Sequence, residues 1–229
     1  MSEASSTLAQ QQTRTEPDAA PKRTRNASRT KADILRAARD EFCEQGFNGA
    51  RVDSIAARAK ANKRLLYHYF GNKEALYRAV LLDAYIEIRG GERELSLARH
   101  SPVEAMDRLV RFTFRHFLAN PWFPRLLAVE NLQNARFLKS IKDIPAINSP
   151  LVDELDDILK RGRDSGEFRT DVDPMQLYIS IAGLGYFYVS NMQTLSIIFD
   201  HDLSDFAAVQ EREAQAVQMV LDYLRAGHR

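Results

Sequence analysis

The 229-residue chain reads as all-α, with about nine helices, and three observations predict it. Apolar residues recur at helical spacing from Thr30 onward. No segment shows the strict alternation of a half-buried strand. Capping residues and glycines punctuate the pattern at helix-length intervals. Apolar residues make up 45% of the chain, enough for a sizeable core. The net charge of +1 conceals an asymmetry: residues 29–78 carry 11 Lys/Arg against 6 Asp/Glu, and residues 79–229 carry 17 against 22. The N-terminal third is therefore the part suited to a polyphosphate. Cys43 is the single cysteine, which excludes an intrachain disulfide framework and fits a reducing cytoplasm. No apolar run approaches the ~20 residues needed to cross a bilayer. The N-terminus lacks the apolar core of a signal peptide. A cytoplasmic protein with no membrane partner is expected.

Residues 1–27 are rich in Ser, Thr, Gln, Ala and Pro, with almost no large apolar side chains. Such a segment buries too little surface to offset its ordering entropy, so a disordered arm is expected, basic at Lys22-Arg23-Thr24-Arg25. The first helix starts at Thr30, buries Ile34, Leu35, Ala38, Phe42 and Cys43, and stops at Gly46. A second covers Val52 to Ala59. A third covers Lys63 to Phe70, capped by Asn62, and a fourth runs from Lys73 to about Arg89, ending at Gly90-Gly91. Ser101-Pro102-Val103-Glu104 combines a capping box with proline at the first helical position, opening a helix that runs to Asn120-Pro121. Further helices are expected over residues 123–140, 150–164, 174–199 and 204–226, with a loop at 141–149.

Residues 51–77 carry the most functional information. Two short helices meet at a tight turn, with Ile55, Ala56, Ala59, Leu65, Leu66 and Phe70 placed to pack them on the first helix. The outer face of the third helix is left free to enter a major groove, which is wide enough to admit a helix. Lys63 and Arg64 sit at its N-terminal end, the end that meets base edges in helix-turn-helix proteins. Tyr67 and His68 lie one turn further on, within reach of phosphates, although His68 also sits where it packs beside Tyr69. Lys73 opens the next helix, where free backbone N–H groups and an ammonium together favour a phosphate. Double-stranded DNA is the expected partner, contacted by Arg51, Asn62, Lys63, Arg64, Tyr67, His68 and Lys73.

This run resembles the DNA-binding domain of the TetR family of bacterial transcription regulators. The resemblance rests on Ile34-Leu35, Ala37-Ala38, Phe42 and Gly46-Phe47, then Ile55-Ala56, Ala59, Leu66-Tyr67-His68-Tyr69-Phe70, Lys73-Glu74 and Leu76. It implies a helix-turn-helix domain over residues 28–88, with the motif at about 51–70. It also implies a ligand-binding and dimerisation domain over 89–229. Residues 159–177, with a glycine-ended helix followed by Asp173-Pro174, also look like the family's C-terminal domain. Within the family the chain looks most like regulators of aromatic, heterocycle or pyrimidine catabolism. Three departures stand out, one of them Asn62 where Ser or Thr often starts the third helix, an equally good cap. Lys60 occupies a turn position where members often carry glycine. Ala50-Arg51 stands where Thr often caps the second helix, a weakening that typically costs ~1 kcal/mol.

In the C-terminal region, helix 174–199 is apolar nearly all round, so it must be buried on more than one side. One side belongs to its own core. The other suits a partner subunit, with Ala182, Gly183 and Gly185 allowing close approach. By the resemblance, helices 174–199 and 204–226 form a four-helix homodimer interface, which suits a palindromic operator. Polar residues within apolar helices mark a pocket for a small organic effector. The candidates are His116, Phe123, Leu127, Glu130, Asn131, Asn134, Tyr178 and Asn191.

The function expected is an effector-released repressor. The alternatives are an effector-independent DNA-architectural protein and a helical enzyme. The large apolar C-terminal region argues against the first, since bending DNA needs no pocket. Against the second, the five histidines show no paired metal-ligand spacing, Cys43 lies on a core stripe, and there is no phosphate-cradling glycine loop. No catalytic residue, cofactor or metal is expected.

Overall fold

A computed structural model describes residues 22–225, with side chains from residue 27 onward. Among the described residues there are nine α-helices and no strand. They are α1 (Lys22–Gly49), α2 (Val52–Arg58), α3 (Lys63–Phe70), α4 (Lys73–Glu94), α5 (Pro102–Ala119), α6 (Trp122–Leu132), α7 (Ile144–Asp164), α8 (Pro174–Ile198) and α9 (Phe206–Arg225).

The helix caps follow the sequence closely. Asn62 and Asn72 accept the N–H groups of Leu65 and Ala75, each at 2.8 Å, and so start α3 and α4. Ser101 accepts from Glu104, and Asp173 from Gln176, at the starts of α5 and α8. Gly46, with φ +67, breaks the regular path of α1. Phe47 then folds back so that its ring lies 5.2 Å from that of Tyr77.

Five boundaries differ from expectation. First, α1 already runs from Lys22, so the last residues of the expected disordered arm are helical and Thr30 lies inside the helix; residues 1–21 fall outside the described residues. Adding a turn to a helix that already exists avoids the cost of nucleation. Second, α4 continues through Gly90-Gly91 to Glu94. Gly91 serves packing instead of termination: a Cβ there would lie 2.5 Å from the Phe112 ring of α5. Third, the helix expected over 123–140 stops at Leu132. The buried carboxylate of Glu130 accepts the N–H groups of Phe137 and Leu138, at 2.9 and 2.8 Å, and turns the chain back. Fourth, α7 begins at Ile144 with Pro145 in its first turn and runs through Pro150, where a loop was expected. Fifth, α9 begins at Phe206, two residues later than expected.

The hydrophobic core has two main bodies. One joins α1, α3 and α4 to α6 and its following turn, through Phe42, Leu66, Phe70, Tyr77, Leu81, Phe123, Leu126 and Phe137. The other unites α5, α7, α8 and α9, through Leu109, Leu155, Leu159, Ile181, Val217 and Val220. The DNA-type unit is therefore continuous with α6 and not a freely hinged bead.

The turn between α2 and α3 carries Lys60 at φ +50. The chain thus adopts the left-handed conformation that glycine would take without a steric penalty. For an L-residue this conformation costs roughly 1–2 kcal/mol. Glycine gives back part of that through its greater unfolded-state freedom. Lys60→Gly should accordingly stabilise the chain by about 0.5–1 kcal/mol in urea unfolding.

Candidate DNA-reading face and interior polar cluster

The two-helix unit is held from beneath. Ile55 and Ala56 of α2 are buried, as are Leu66 and Phe70 of α3. This orients α3 with Lys63, Arg64, Tyr67 and His68 exposed on one face. Arg64 makes no ion pair among the described residues. Tyr67 is 42% exposed. His68 packs edge-on against Tyr69, with ring centroids 5.4 Å apart, and is still exposed.

Three expected contact residues have partners of their own. Lys63 pairs with Asp53 of α2 at 2.8 Å. Both side chains are well exposed, so this pair is weak and readily exchanged for another anion. Asn62 uses its side-chain oxygen as the cap of α3. Lys73 is half-buried, its ammonium 3.3 Å from the Asn48 carbonyl and 4.9 Å from the centre of the Phe47 ring. Burial there lowers its pKa.

Arg51 is exposed, and its backbone N–H donates to Glu41 of α1 at 3.0 Å. Glu41 is buried and also faces Arg58 at 3.3 Å. The N-cap residue of α2 thus has its own N–H satisfied from another helix, while no side chain caps the first turn of α2. Glu41 is a determinant that local sequence pattern does not reveal.

The effector candidates divide. His116, Phe123, Glu130 and Tyr178 lie in the interior of the C-terminal region or border it. The His116 ring sits 5.4 Å from Phe123 and 5.8 Å from Phe112. Phe123 in turn meets Tyr85 at 6.1 Å. Leu127 is half-buried against the core shared with the DNA-type unit. The other three point elsewhere. Asn131 and Asn134 are exposed, because α6 ends at Leu132 and the chain turns at Asn134, φ +52. Asn191 is half-buried and donates to the Phe187 carbonyl of its own helix.

Two charged residues that sequence reading missed complete the cluster. Arg89 is 5% exposed and Glu92 is 2% exposed. An Arg89 Nη donates to the Tyr178 hydroxyl at 2.5 Å. The other Nη lies 2.8 Å from Glu92 without the alignment of a hydrogen bond. Arg89 Nε and both Glu92 oxygens have no hydrogen-bond partner in the protein. Burial pushes the Glu92 carboxyl up to about 7, against the pull of Arg89. The signal was present in the sequence. With the helix carried through Gly90-Gly91, Glu92 continues the inward stripe of Tyr77, Leu81, Ala84 and Ile88.

His116 has an unpartnered Nε2, and burial, aided by the Arg89 charge, lowers its pKa to about 4. The imidazole is therefore neutral at physiological pH. As pH falls from 6.5 toward 4, the unfolded chain takes up a proton that the native site refuses, and stability is lost. His116→Phe removes this term. Between pH 7.5 and pH 5 it should lose less stability than the parent chain, by up to about 2 kcal/mol in urea unfolding.

No helix of the described residues is long and apolar enough to cross a membrane. Comparison with known proteins agrees with this architecture. Residues 34–80 match the family model described as bacterial regulatory proteins, tetR family. Residues 102–220 match the tetracyclin repressor-like C-terminal domain. The chain is 37% identical over 183 residues to the HTH-type transcriptional repressor NicS of Pseudomonas putida, covering 80% of this chain and 86% of that protein. It is 32% identical to the regulator RutR of Escherichia coli K12, covering 70% and 74%. A putative transcriptional regulator from Streptomyces coelicolor, SCO4942, superposes with a TM-score of 0.63 at 26% identity, over 85% of this chain and 98% of that one. AibR, solved with isovaleryl coenzyme A and operator DNA, shares the fold, with a TM-score of 0.62 at 20% identity over 83% and 97%. The face of α3, the helical C-terminal domain and these matches have one common explanation: the chain belongs to the TetR family of bacterial transcription regulators, which act by binding operator DNA and not by catalysis.

Proposed function

We propose that the chain is a cytoplasmic repressor that binds a palindromic operator as a homodimer and leaves it when a small organic effector occupies the interior of the C-terminal domain. The observation that carries this reading is the exposed face of α3, set on a buried Leu66–Phe70 base. Arg64 reads base edges, since a guanidinium donates two hydrogen bonds to guanine. Lys63 exchanges Asp53 for the nucleic acid. Tyr67 and His68 grip backbone phosphates. Lys73 joins them with the free N–H groups that open α4, and Arg51 flanks them at the start of α2.

The dimer is formed by the outer faces of α8 and α9. On α8, Ile179, Phe187, Ile197 and Ile198 are exposed, with Phe187 at 59% and Ile198 at 69%. On α9, Phe206, Met219 and Tyr223 are exposed. Contiguous apolar surface of this kind on a soluble chain marks an interaction site. Gly183 faces the same side, with open space around it. Gly185 does not, contrary to the expectation from sequence. A Cβ there would lie 3.0 Å from Phe117 and 3.3 Å from the Phe114 backbone, so it serves the packing of α8 on α5. Isologous pairing places two α3 helices for successive major grooves, about 34–36 Å apart.

Release is a shift between conformers, and α6 is placed to carry it. At its start, Trp122 lies under Arg39 of α1, 4.2 Å from the ring centre, and accepts from the Cys43 thiol through its carbonyl. The next residue, Phe123, faces His116 in the interior. A ligand that displaces Phe123 therefore displaces α1.

The operator reading is tested by gel retardation with the chain's own upstream region. Arg64→Ala should cost about 1–3 kcal/mol and flatten preference at one base position. Tyr67→Phe and Lys73→Gln should weaken all sequences alike. No retarded band at low salt with intact protein would end this proposal. For the dimer, Phe187→Asp should yield a folded monomer in light scattering, with operator affinity down more than about tenfold, or about 1.4 kcal/mol. An unchanged dimer mass would relocate the interface.

A further inference from the structure

We propose that Arg89 anchors the carboxylate of a small ring-bearing ligand, bound between α4, α5 and α8 and entering along the groove floored by His116. This rests on the effector reading above and specifies the chemistry of its site.

Three observations converge on that ligand. The first is the state of Arg89. A guanidinium offers five N–H donors in a rigid fork. Here one nitrogen holds the Tyr178 hydroxyl, one stands beside Glu92 without alignment, and Nε has no partner in the protein. A carboxylate satisfies Nε and a neighbouring Nη together, in the bidentate geometry that suits this fork. A neutral carbonyl offers only a single acceptor atom to the same pair.

The second is the state of Glu92. It balances the charge of Arg89, yet neither of its oxygens accepts a hydrogen bond. A half-satisfied buried pair is a poor structural device. It is a workable placeholder for an incoming anion. Burial already favours the protonated carboxyl, aided by the charge of Glu154. When the ligand takes Arg89, Glu92 takes up a proton and the interior gains no net charge.

The third is the shape and lining of the site. His116, itself 8% exposed, presents an unpartnered Nε2, and its neutral ring offers a polar contact without a second charge. Phe112, Phe123 and Tyr85 stand next to it or to one another, so the walls are aromatic. Outside His116 lies a groove of about 430 Å³, lined by Leu95, Phe112, Ala119 and Asn120 together with Arg108, Arg111 and Arg115, whose guanidinium groups are already paired with Glu104 or Glu213. That volume lies in the range of small-molecule sites. The absence of a side chain at Gly91 lets the Phe112 ring lean onto α4, two residues along from Arg89.

The test uses the purified full chain and paired probes: benzene, pyridine and pyrimidine carboxylates, each beside its own amide. Thermal shift and calorimetry should show stabilisation by one or more carboxylates, at least tenfold tighter than by the matching amide. Arg89→Met combined with Glu92→Gln keeps the interior neutral and should abolish that binding while still retarding operator DNA. Glu92→Gln alone should bind the carboxylate at least as tightly as the parent chain. If amides bind as well as carboxylates, or the double variant keeps carboxylate binding, the assignment to Arg89 fails and the effector reading stands. If no member of either set shifts the melting temperature, the assignment to Arg89 fails, while the effector reading falls only if operator DNA is bound identically in the presence of every small organic ligand tried.

Discussion

The arrangement of this molecule depends on one buried carboxylate. Glu130 sits at the end of α6 and accepts two successive backbone N–H groups, those of Phe137 and Leu138. Those bonds close the chain into a tight return. They place the Phe137 ring 4.3 Å from Phe47 and 5.0 Å from Tyr77, within the base of the DNA-type unit. A buried acceptor that satisfies two donors is costly to remove, because both N–H groups would be left unpaired. The Tyr77 hydroxyl, buried beside the same charge, is held firmly protonated. Without this turn, the core shared by α1, α4 and α6 would lose the Phe137 ring.

That seam gives the fold its mechanical character. Trp122 at the start of α6 and Phe137 in the return after it grip the DNA-type unit, while Phe123 between them looks inward at His116. The ion pair between Arg136 and Glu74, at 3.1 Å, adds a surface tie to the start of α4. It is exposed and contributes little energy, so the position of the return rests on Glu130 and Phe137. The interior cluster of Arg89, Glu92, His116 and Tyr178 lies along the adjoining helices. It is the least satisfied part of an otherwise well-packed interior, and polar groups left unsatisfied in this way are characteristic of sites that await a ligand.

The helix-turn-helix was legible almost to the residue, because its determinants are local. Asn62 and Asn72 cap the helices they precede, and Leu66 and Phe70 fall one turn apart on the face that must be buried. The interior site was only partly legible. His116, Phe123, Glu130 and Tyr178 stood out as polar or aromatic residues within apolar helices, and the fold brings them toward one region. Asn131 and Asn134 carried the same signal but lie outside it, since the helix assumed to present them ends earlier. Arg89 and Glu92 were hidden by the glycine pair beside them, which reads as a stop signal in sequence and acts as a packing notch in three dimensions.

The sequence alone determined the helical class, the position of the reading helix, the charge that suits it to DNA and the apolar surplus of α8. Each follows from periodicity, capping or composition, which act over a few residues at a time. Only the tertiary structure decided that Glu41 of α1 accepts the N–H of Arg51 at the start of α2, and that Gly91 and Gly185 admit Phe112 and the backbone at Phe114. It also decided that Arg89 and Glu92 are buried together with their hydrogen-bonding capacity largely unused. These are relations between helices distant in sequence. Their physical basis is close packing and the satisfaction of buried polar groups, and neither exists until the helices meet.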